Sequence, residues 1–273
     1  MDSDQVRARR FPVIRARRNG ARQSDLLIGP GGPASFGFPL VGLEPEWKRI
    51  EAALRNGESL LVLGPCGSGK TRLLRGCSQT VPGTAFVKYT SNLHLLLQTL
   101  AGALVDAGHD GTLRSVASGT RPTSVHLRGV LWNALEKHPA RIIVDGIDSA
   151  SFPVLRFFRR IYFLRGMSIV ASARDLLGLG ALGRLFWDPR KTLQLKPLNY
   201  AASAELFDRA VHTYRVHGAN MDEFRSHVLD VAAGNGGQIV EMCRLASRPE
   251  YLTATGRIKF ELVRIDCLVR TMG

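Results

Sequence analysis

The feature that constrains this chain most is a glycine-rich loop directly after an apolar run. Residues 60–63 read Leu-Leu-Val-Leu, and residues 64–71 read Gly-Pro-Cys-Gly-Ser-Gly-Lys-Thr. The spacing G-x-x-x-x-G-K-T, between an apolar strand and a helical segment, is the pattern of a phosphate-binding loop. Its glycines let successive backbone N–H groups turn inward toward an anion. We therefore expect an α/β fold with a nucleoside triphosphate at one edge of its sheet.

Two side chains of this loop have separate expected roles. Lys70 would reach the β- and γ-phosphates, and the Thr71 hydroxyl would ligate Mg²⁺. The positive N-terminal end of the helix that follows would face the anion. The residues expected to contact the nucleotide here are Gly64, Pro65, Cys66, Gly67, Ser68, Gly69, Lys70 and Thr71.

A second strand ends on an acid. Residues 141–145 read Arg-Ile-Ile-Val-Asp, which places Asp145 at the carboxyl edge of the sheet near the loop. There its carboxylate would hold the Mg²⁺ shell through water. Asp145 is followed by Gly146-Ile147-Asp148, so a second acid lies three residues further on.

The next strand, residues 167–174, ends on two polar side chains. A polar side chain on the strand beside Asp145 resembles the sensor position that monitors the γ-phosphate in ATPases, and Ser172 is the better candidate by phase. Arg174 has two open interpretations, since it can reach the phosphates or pair with an acid such as Asp148 or Asp175.

Taken in order, these motifs resemble the AAA+ core of origin-recognition/Cdc6-like and STAND-type ATPases. The order is the loop, the Asp-x-x-Asp strand end, the Ser-x-Arg strand end, Arg-Leu-Phe at residues 184–186 and Leu-x-Leu-x-Pro-Leu at residues 193–198. The resemblance covers about residues 41–250. It implies a parallel sheet flanked by helices, followed by a small helical lid, with ATP and Mg²⁺ as cofactors.

The resemblance also assigns two catalytic positions. Arg184 corresponds to the arginine finger that reaches a neighbouring subunit's γ-phosphate, although it can equally be a surface arginine at a helix end; Arg190 is the weaker alternative. A glutamate that polarises water follows the strand-end Asp in the family, and Gly146 stands there instead. Either Asp148 acts as the base or the base is missing, which would commonly cost about 10²–10⁴ in rate.

Beyond Pro197 only helical patterns follow. One example is the spacing of Ile258, Leu262, Ile265 and Val269, which predicts an apolar helix face. Residues 234–237, Gly-Asn-Gly-Gly, stand where STAND proteins carry Gly-Asn-Pro, so the next helix, with Arg244, would face the nucleotide. Alternatively, these glycines only end one helix and begin the next. We expect a basic, disordered tail at residues 1–38, a nucleotide-binding domain at 39–198 and a lid domain at 199–273.

The charge of the chain suggests a polyanionic partner. The net charge is +14, and the tail carries arginines at positions 7, 9, 10, 15, 17, 18 and 22. Such a tail can bind DNA or an acidic protein face, or it can be a solvated linker. The four cysteines form no C-x-x-C pair, which favours a reducing cytosol, and no apolar run approaches the length of a membrane span.

These observations favour a cytoplasmic or nucleoid-associated ATP-binding protein. It would be a slow ATPase or a nucleotide-dependent switch in a DNA-associated assembly, of the transposition-helper or initiator-like kind, and would self-associate or bind a protein partner. The alternative is a non-hydrolysing, STAND-like interaction module. A small-substrate kinase fits less well because a helical lid follows the sheet.

Overall fold

Five parallel strands form the centre of the computed structural model, which describes residues 40–109, 113–114, 122–147 and 149–272. The predicted tail and Asp148 lie outside these described residues. The strands are β1 (Leu60–Leu63), β2 (Thr84–Lys88), β3 (Arg141–Asp145), β4 (Ser168–Ala173) and β5 (Thr192–Gln194). Their order across the sheet is β2-β3-β4-β1-β5. All their carboxyl ends therefore lie at one edge, which is where ligands bind in open α/β sheets.

Helices cover both faces of the sheet. The helices of this part are α1 (Glu44–Asn56), α2 (Lys70–Thr80), α3 (Leu93–Asp106), α4 (Ser124–Lys137), α5 (Phe152–Tyr162) and α6 (Leu176–Leu179). On one face, buried side chains of α1 and α2 such as Ile50 and Leu73 pack on Val62. On the other, Leu97 of α3 and Phe158 of α5 belong to a second core. Strands buried on both faces explain the nearly continuous apolar runs in the sequence.

A helical lid follows the sheet. It contains α7 (Tyr200–Tyr214), α8 (Met221–Ala232), α9 (Gly236–Ala246) and α10 (Phe260–Met272). It has a core of its own, in which Phe207, Phe224 and Ile239 are buried. This architecture confirms the predicted fold class, a parallel α/β sheet followed by a small helical lid.

The last helix differs from the prediction in the face that it buries. Ile258 is buried but precedes α10, whereas Leu262, Ile265 and Val269 are all exposed. Val263 and Cys267 make the contact with the lid core instead. The periodicity found a real apolar stripe, but the stripe lies on the outer surface of the helix.

Candidate functional site

The loop between β1 and α2 has the backbone conformation that its glycines permit. Gly67 has φ +78° and Gly69 has φ +92°, values that residues with a Cβ rarely adopt. Gly69 is the N-cap of α2, and Lys70 is the first helical residue. The Lys70 ammonium donates hydrogen bonds to the carbonyl oxygens of Gly64 at 2.6 Å and Pro65 at 2.8 Å. The loop therefore wraps around the ammonium end of the lysine side chain.

Three predicted residues from three different elements meet beside this loop. The Thr71 hydroxyl of α2 donates to Asp145 Oδ2 at 2.7 Å, and the Ser172 hydroxyl of β4 donates to Asp145 Oδ1 at 2.7 Å. Asp145 and Ser172 are buried, with 4% and 0% of their surfaces exposed. Ser172 thus fixes the orientation of the carboxylate, while the other oxygen faces Thr71.

The residue after Asp145 forms a glycine turn. Gly146 has φ +80°, and its N–H donates to the Ser172 hydroxyl at 2.8 Å. The next N–H, of Ile147, donates to the carbonyl of Ser172 at 2.7 Å. A Cβ at Gly146 would meet nothing within 4 Å. The space for a side chain exists, but the backbone conformation disfavours any residue other than glycine.

The lid contacts the loop directly. Asn235, the N-cap of α9, accepts from the N–H of Gln238 at 3.2 Å and donates through Nδ2 to the Cys66 carbonyl at 2.8 Å. The N–H of Gly237 donates to the Gly67 carbonyl, also at 2.8 Å. The approach is so close that a Cβ at Gly237 would lie 2.6 Å from the Gly67 Cα. The lid glycines therefore do more than cap helices, because they let α9 rest on the loop.

The loop, the strand ends and the lid enclose a cleft of about 610 Å³. Its lining residues, beyond those of the loop, are Leu40, Val41, Leu43, Arg72, Lys88, Tyr89, Asp145, Gly146, Arg174, Leu198, Leu206, Gly236, Gly237, Val240 and Glu241. The apolar lining residues are suited to pack against a flat aromatic ring, and the arginine and lysine side chains are suited to bind phosphates. Burial lowers the pKa of Arg72 and raises that of Tyr89.

Among the lining residues that the sequence analysis missed are two charged side chains, Lys88 and Glu241. Lys88 ends β2 and is in register with Asp145 on the neighbouring strand. A lysine at the end of the short apolar run of residues 85–87 was the signal for it. Glu241 lies on α9 and forms an ion pair with Arg244 at 2.5 Å. No sequence pattern predicted that Glu241 lines the cleft, because its position depends on how the lid packs.

The remaining predicted residues are distributed as follows. Arg174 is exposed and lines the cleft. Arg184 lies in the 3-10 segment Gly180–Phe186 and is not among the residues that line the cleft of its own chain. Arg190 is paired with Asp188 at 3.0 Å on the surface. Arg244 pairs with Glu241 and lies outside the lining set, so the charged side chain that α9 contributes to the cleft lining is Glu241.

The oxygen atoms at Thr71 and Asp145 fit a magnesium ion. A hydroxyl and a carboxylate are the hard ligands that Mg²⁺ takes, usually with waters and substrate phosphates completing the shell. Within the part of the chain that the structure describes, no group of three or more His, Cys, Asp or Glu side chains is placed to hold a metal by itself. Thr71 and Asp145 therefore suit an ion whose remaining ligands come in part from a phosphate group.

Among the described helices, none is long and apolar enough to cross a membrane.

Comparisons with known proteins identify the fold. No protein-family model and no curated protein sequence matches this chain significantly. Among solved structures, a Walker-type ATPase of Pyrococcus abyssi has a TM-score of 0.55 at 16% identity, over 84% of this chain and 72% of that one. A mutant RuvB of Thermotoga maritima has a TM-score of 0.51 at 16% identity, over 84% and 71%. The FIGL-1 AAA domain has 0.50 at 15% identity, over 85% of each chain. The chain has the AAA+ P-loop ATPase fold.

Proposed function

We propose that this chain binds ATP with Mg²⁺ in the cleft between sheet and lid, and works as a slow ATPase or nucleotide-dependent switch in a DNA-associated assembly of the transposition-helper or initiator-like kind. The observation that carries the proposal is the convergence of Lys70, Thr71 and Asp145 at one sheet edge. The 2.7 Å bond between Thr71 and Asp145 already places two oxygen ligands side by side.

Each residue of the site has a distinct task in this proposal. The loop N–H groups and Lys70 hold the phosphates, and the end of α2 adds its dipole. Thr71 and Asp145 hold Mg²⁺, whose chemistry is to neutralise phosphate charge. Ser172 keeps Asp145 in its orientation through the hydrogen bond to Oδ1. Arg174, an exposed residue of the cleft lining, adds positive charge near the phosphates.

Slow turnover follows from the residue after Asp145. Hydrolysis needs a group that takes the proton of the attacking water, and Gly146 has none. Asp148 is the alternative base. If neither residue supplies this group, the loss is about 10²–10⁴ in rate while the contacts that bind the nucleotide remain. This combination favours a switch over a motor.

Self-association is the second part of the proposal. Arg184 does not line its own cleft, and an arginine that completes a neighbour's site would supply charge as the transition state forms. Light scattering with and without ATP tests this. We expect a larger mass with ATP, and no loss of ATP binding by Arg184→Ala. An unchanged mass at all ATP concentrations would contradict it.

The main experiment measures binding and hydrolysis of radiolabelled ATP by the purified chain, with and without duplex DNA at a stated salt concentration. Lys70→Ala should abolish binding, whereas Lys137→Ala, which removes an exposed lysine at the end of α4, should not. DNA-stimulated turnover supports the DNA-associated ATPase. Binding without turnover in any condition favours the STAND-like interaction module. Binding that persists in Lys70→Ala refutes the assignment of the site.

A further inference from the structure

The outer surface of α5 carries an unusual run of arginines and aromatic rings. Phe152, Arg156, Arg159 and Phe163 follow one another at intervals of four, three and four residues, which places them on one side of a helix. Phe152 is 74% exposed and Phe163 is 71% exposed. Together with Arg160 and Arg165, both also exposed, these residues are called the α5 arginine face.

The opposite side of α5 anchors this face to the sheet. Val154, Phe157, Phe158 and Ile161 are buried in the core under the sheet. At its C-terminal end the Tyr162 ring packs edge-on against Phe186. The α5 arginine face is therefore a rigid surface of the folded domain.

The charges on this face are not neutralised within the described part of the protein. Residues 151–174 contain no Asp or Glu. No hydrogen bond or ion pair joins Arg156, Arg159 or Arg165 to another described residue. Several exposed arginines elsewhere have acidic partners, as in Arg55 with Glu51 at 2.7 Å, whereas these three neighbouring arginines on one surface have none among the described residues. Positive charges four residues apart on one helix repel each other, so the face has a net attraction for an external anion.

Two local effects explain the presence of only some arginines of the α5 arginine face. Arg159 and Arg160 are in the last turn of α5, where the helix dipole favours cations. Arg160 also stacks on the Trp132 ring of α4, with 3.8 Å between its guanidinium carbon and the ring centroid. Neither explanation applies to Arg156 in the second turn or to Arg165 beyond the helix. The Phe163 ring packs edge-on against the adjacent Tyr162 ring, but most of its surface, like that of Phe152, remains exposed.

We infer that the α5 arginine face binds the phosphate backbone of duplex DNA. Guanidinium groups match phosphate oxygens with two parallel N–H donors. The stretch from Phe152 to Phe163 is roughly 16 Å long at 1.5 Å per residue, enough to reach across a major groove about 12 Å wide. This inference rests on the proposed DNA-associated function and adds a second contact to the one expected from the tail.

None of the residues of the α5 arginine face lines the nucleotide cleft. α5 packs on the sheet face opposite α2, which begins at Lys70. DNA and ATP can therefore be bound by one chain at the same time. Their separation also lets the two be tested independently.

The test is fluorescence anisotropy of a labelled random-sequence duplex with the full chain at salt concentrations from about 50 to 200 mM. The variant combines Arg156→Gln, Arg159→Gln and Arg165→Gln. Each lost phosphate contact lowers the slope of log K against log salt by about 0.9, so we expect the slope to fall by about 2–3 and affinity by more than tenfold.

The matched control removes three arginines that have acidic partners on the lid, Arg209→Gln, Arg248→Gln and Arg264→Gln. It changes the net charge equally, and we expect affinity within about twofold of the unmodified chain because the charges lie outside the proposed contact. Retention of ATP binding by both variants shows that they fold.

Three results would overturn the inference. In the first, the α5 variant binds duplex as the unmodified chain does, whereas glutamine at positions 7, 9 and 10 abolishes binding; DNA would then bind the tail alone. In the second, polyglutamate or vesicles with anionic lipids bind the face in preference to DNA, which identifies an acidic protein or a membrane as its partner. In the third, the chain binds ATP but no duplex, which leaves the nucleotide site standing and removes the DNA contact.

Discussion

The contact between the lid and the loop can be tested at one glycine. A Cβ in Gly237→Ala would lie 2.6 Å from the Cα of Gly67 and 3.0 Å from its carbonyl oxygen. Backbone atoms cannot rotate away, so α9 must move and the 2.8 Å bond from the Gly237 N–H to the Gly67 carbonyl is strained or lost. We expect the closed arrangement of lid and loop to become less stable.

The size of the effect follows from three contributions. Loss of the hydrogen bond costs about 1 kcal/mol, and the overlap costs about 1–3 kcal/mol. Alanine in place of glycine in the first turn of a helix stabilises that helix by about 0.5–1 kcal/mol. The net cost is about 2 kcal/mol, and if all of it falls on the state that binds ATP, affinity drops roughly 30-fold.

The assay is a titration of each variant with a fluorescent ATP analogue, together with thermal unfolding. Gly129→Ala in α4 is the control, because its Cβ would meet nothing within 4 Å. There we expect an increase in stability of about 0.5–1 kcal/mol and unchanged ATP affinity. If Gly237→Ala binds the analogue within about twofold of the unmodified chain, the lid contact plays no part in nucleotide binding, and the reasoning fails.

Three further predictions concern the same site. Gly146→Glu and Gly146→Ala share the strain of a positive φ, about 1–2 kcal/mol, so a difference between them reports on the carboxylate alone. An ATPase rate that rises only in the glutamate variant would show that the unmodified chain lacks a catalytic base. Equal rates in the two variants would exclude a missing base. Asn235→Ser keeps the helix cap but is too short to reach Cys66, and we expect ATP affinity to fall roughly fivefold, with unchanged affinity contradicting the contact. Cys66 is exposed, whereas burial raises the pKa of Cys77 and of Cys243 to about 12 and also raises the pKa of Cys267. Because the thiolate is the reactive form, mass spectrometry after iodoacetamide near pH 8 should find label at Cys66 alone, and ATP should protect it.

Elements defined by local patterns could be predicted from the sequence. The apolar run of residues 60–63 and the loop after it fixed the position of β1 and α2. The strand-end positions of Asp145 and Ser172 were enough to expect them near each other, because parallel strands end at one edge. Their 2.7 Å hydrogen bond is a consequence of β3 and β4 being neighbours.

Features that depend on how elements pack could not be predicted. β5 ends at Gln194, inside the Leu-x-Leu-x-Pro-Leu motif of residues 193–198. The N–H of Leu198, at the end of this motif, bonds to the Gly234 carbonyl of the lid at 2.9 Å, a contact that no local pattern predicts. The close approach of Gly237 to the loop has no local signature either. Periodicity likewise could not decide whether Val263 or Ile265 of α10 faces the lid core.

The distribution of charge over the surface also depends on folding and could not be predicted from the sequence. The net charge of +14 drew attention to the tail, since only folding reveals which arginines have acidic partners.

In the structure α5 directly joins the loop after Asp145 to the turn before β4, which carries Ser172. A ligand on the α5 arginine face and a nucleotide at Asp145 therefore act on one connected segment. If ATP changes DNA affinity by some factor, DNA must change ATP affinity by the same factor, because coupling between two sites is reciprocal. Measuring both factors on the unmodified chain and on the α5 variant tests whether the coupling passes through this helix: it should disappear when the three arginines are removed, and its persistence would place the coupling elsewhere.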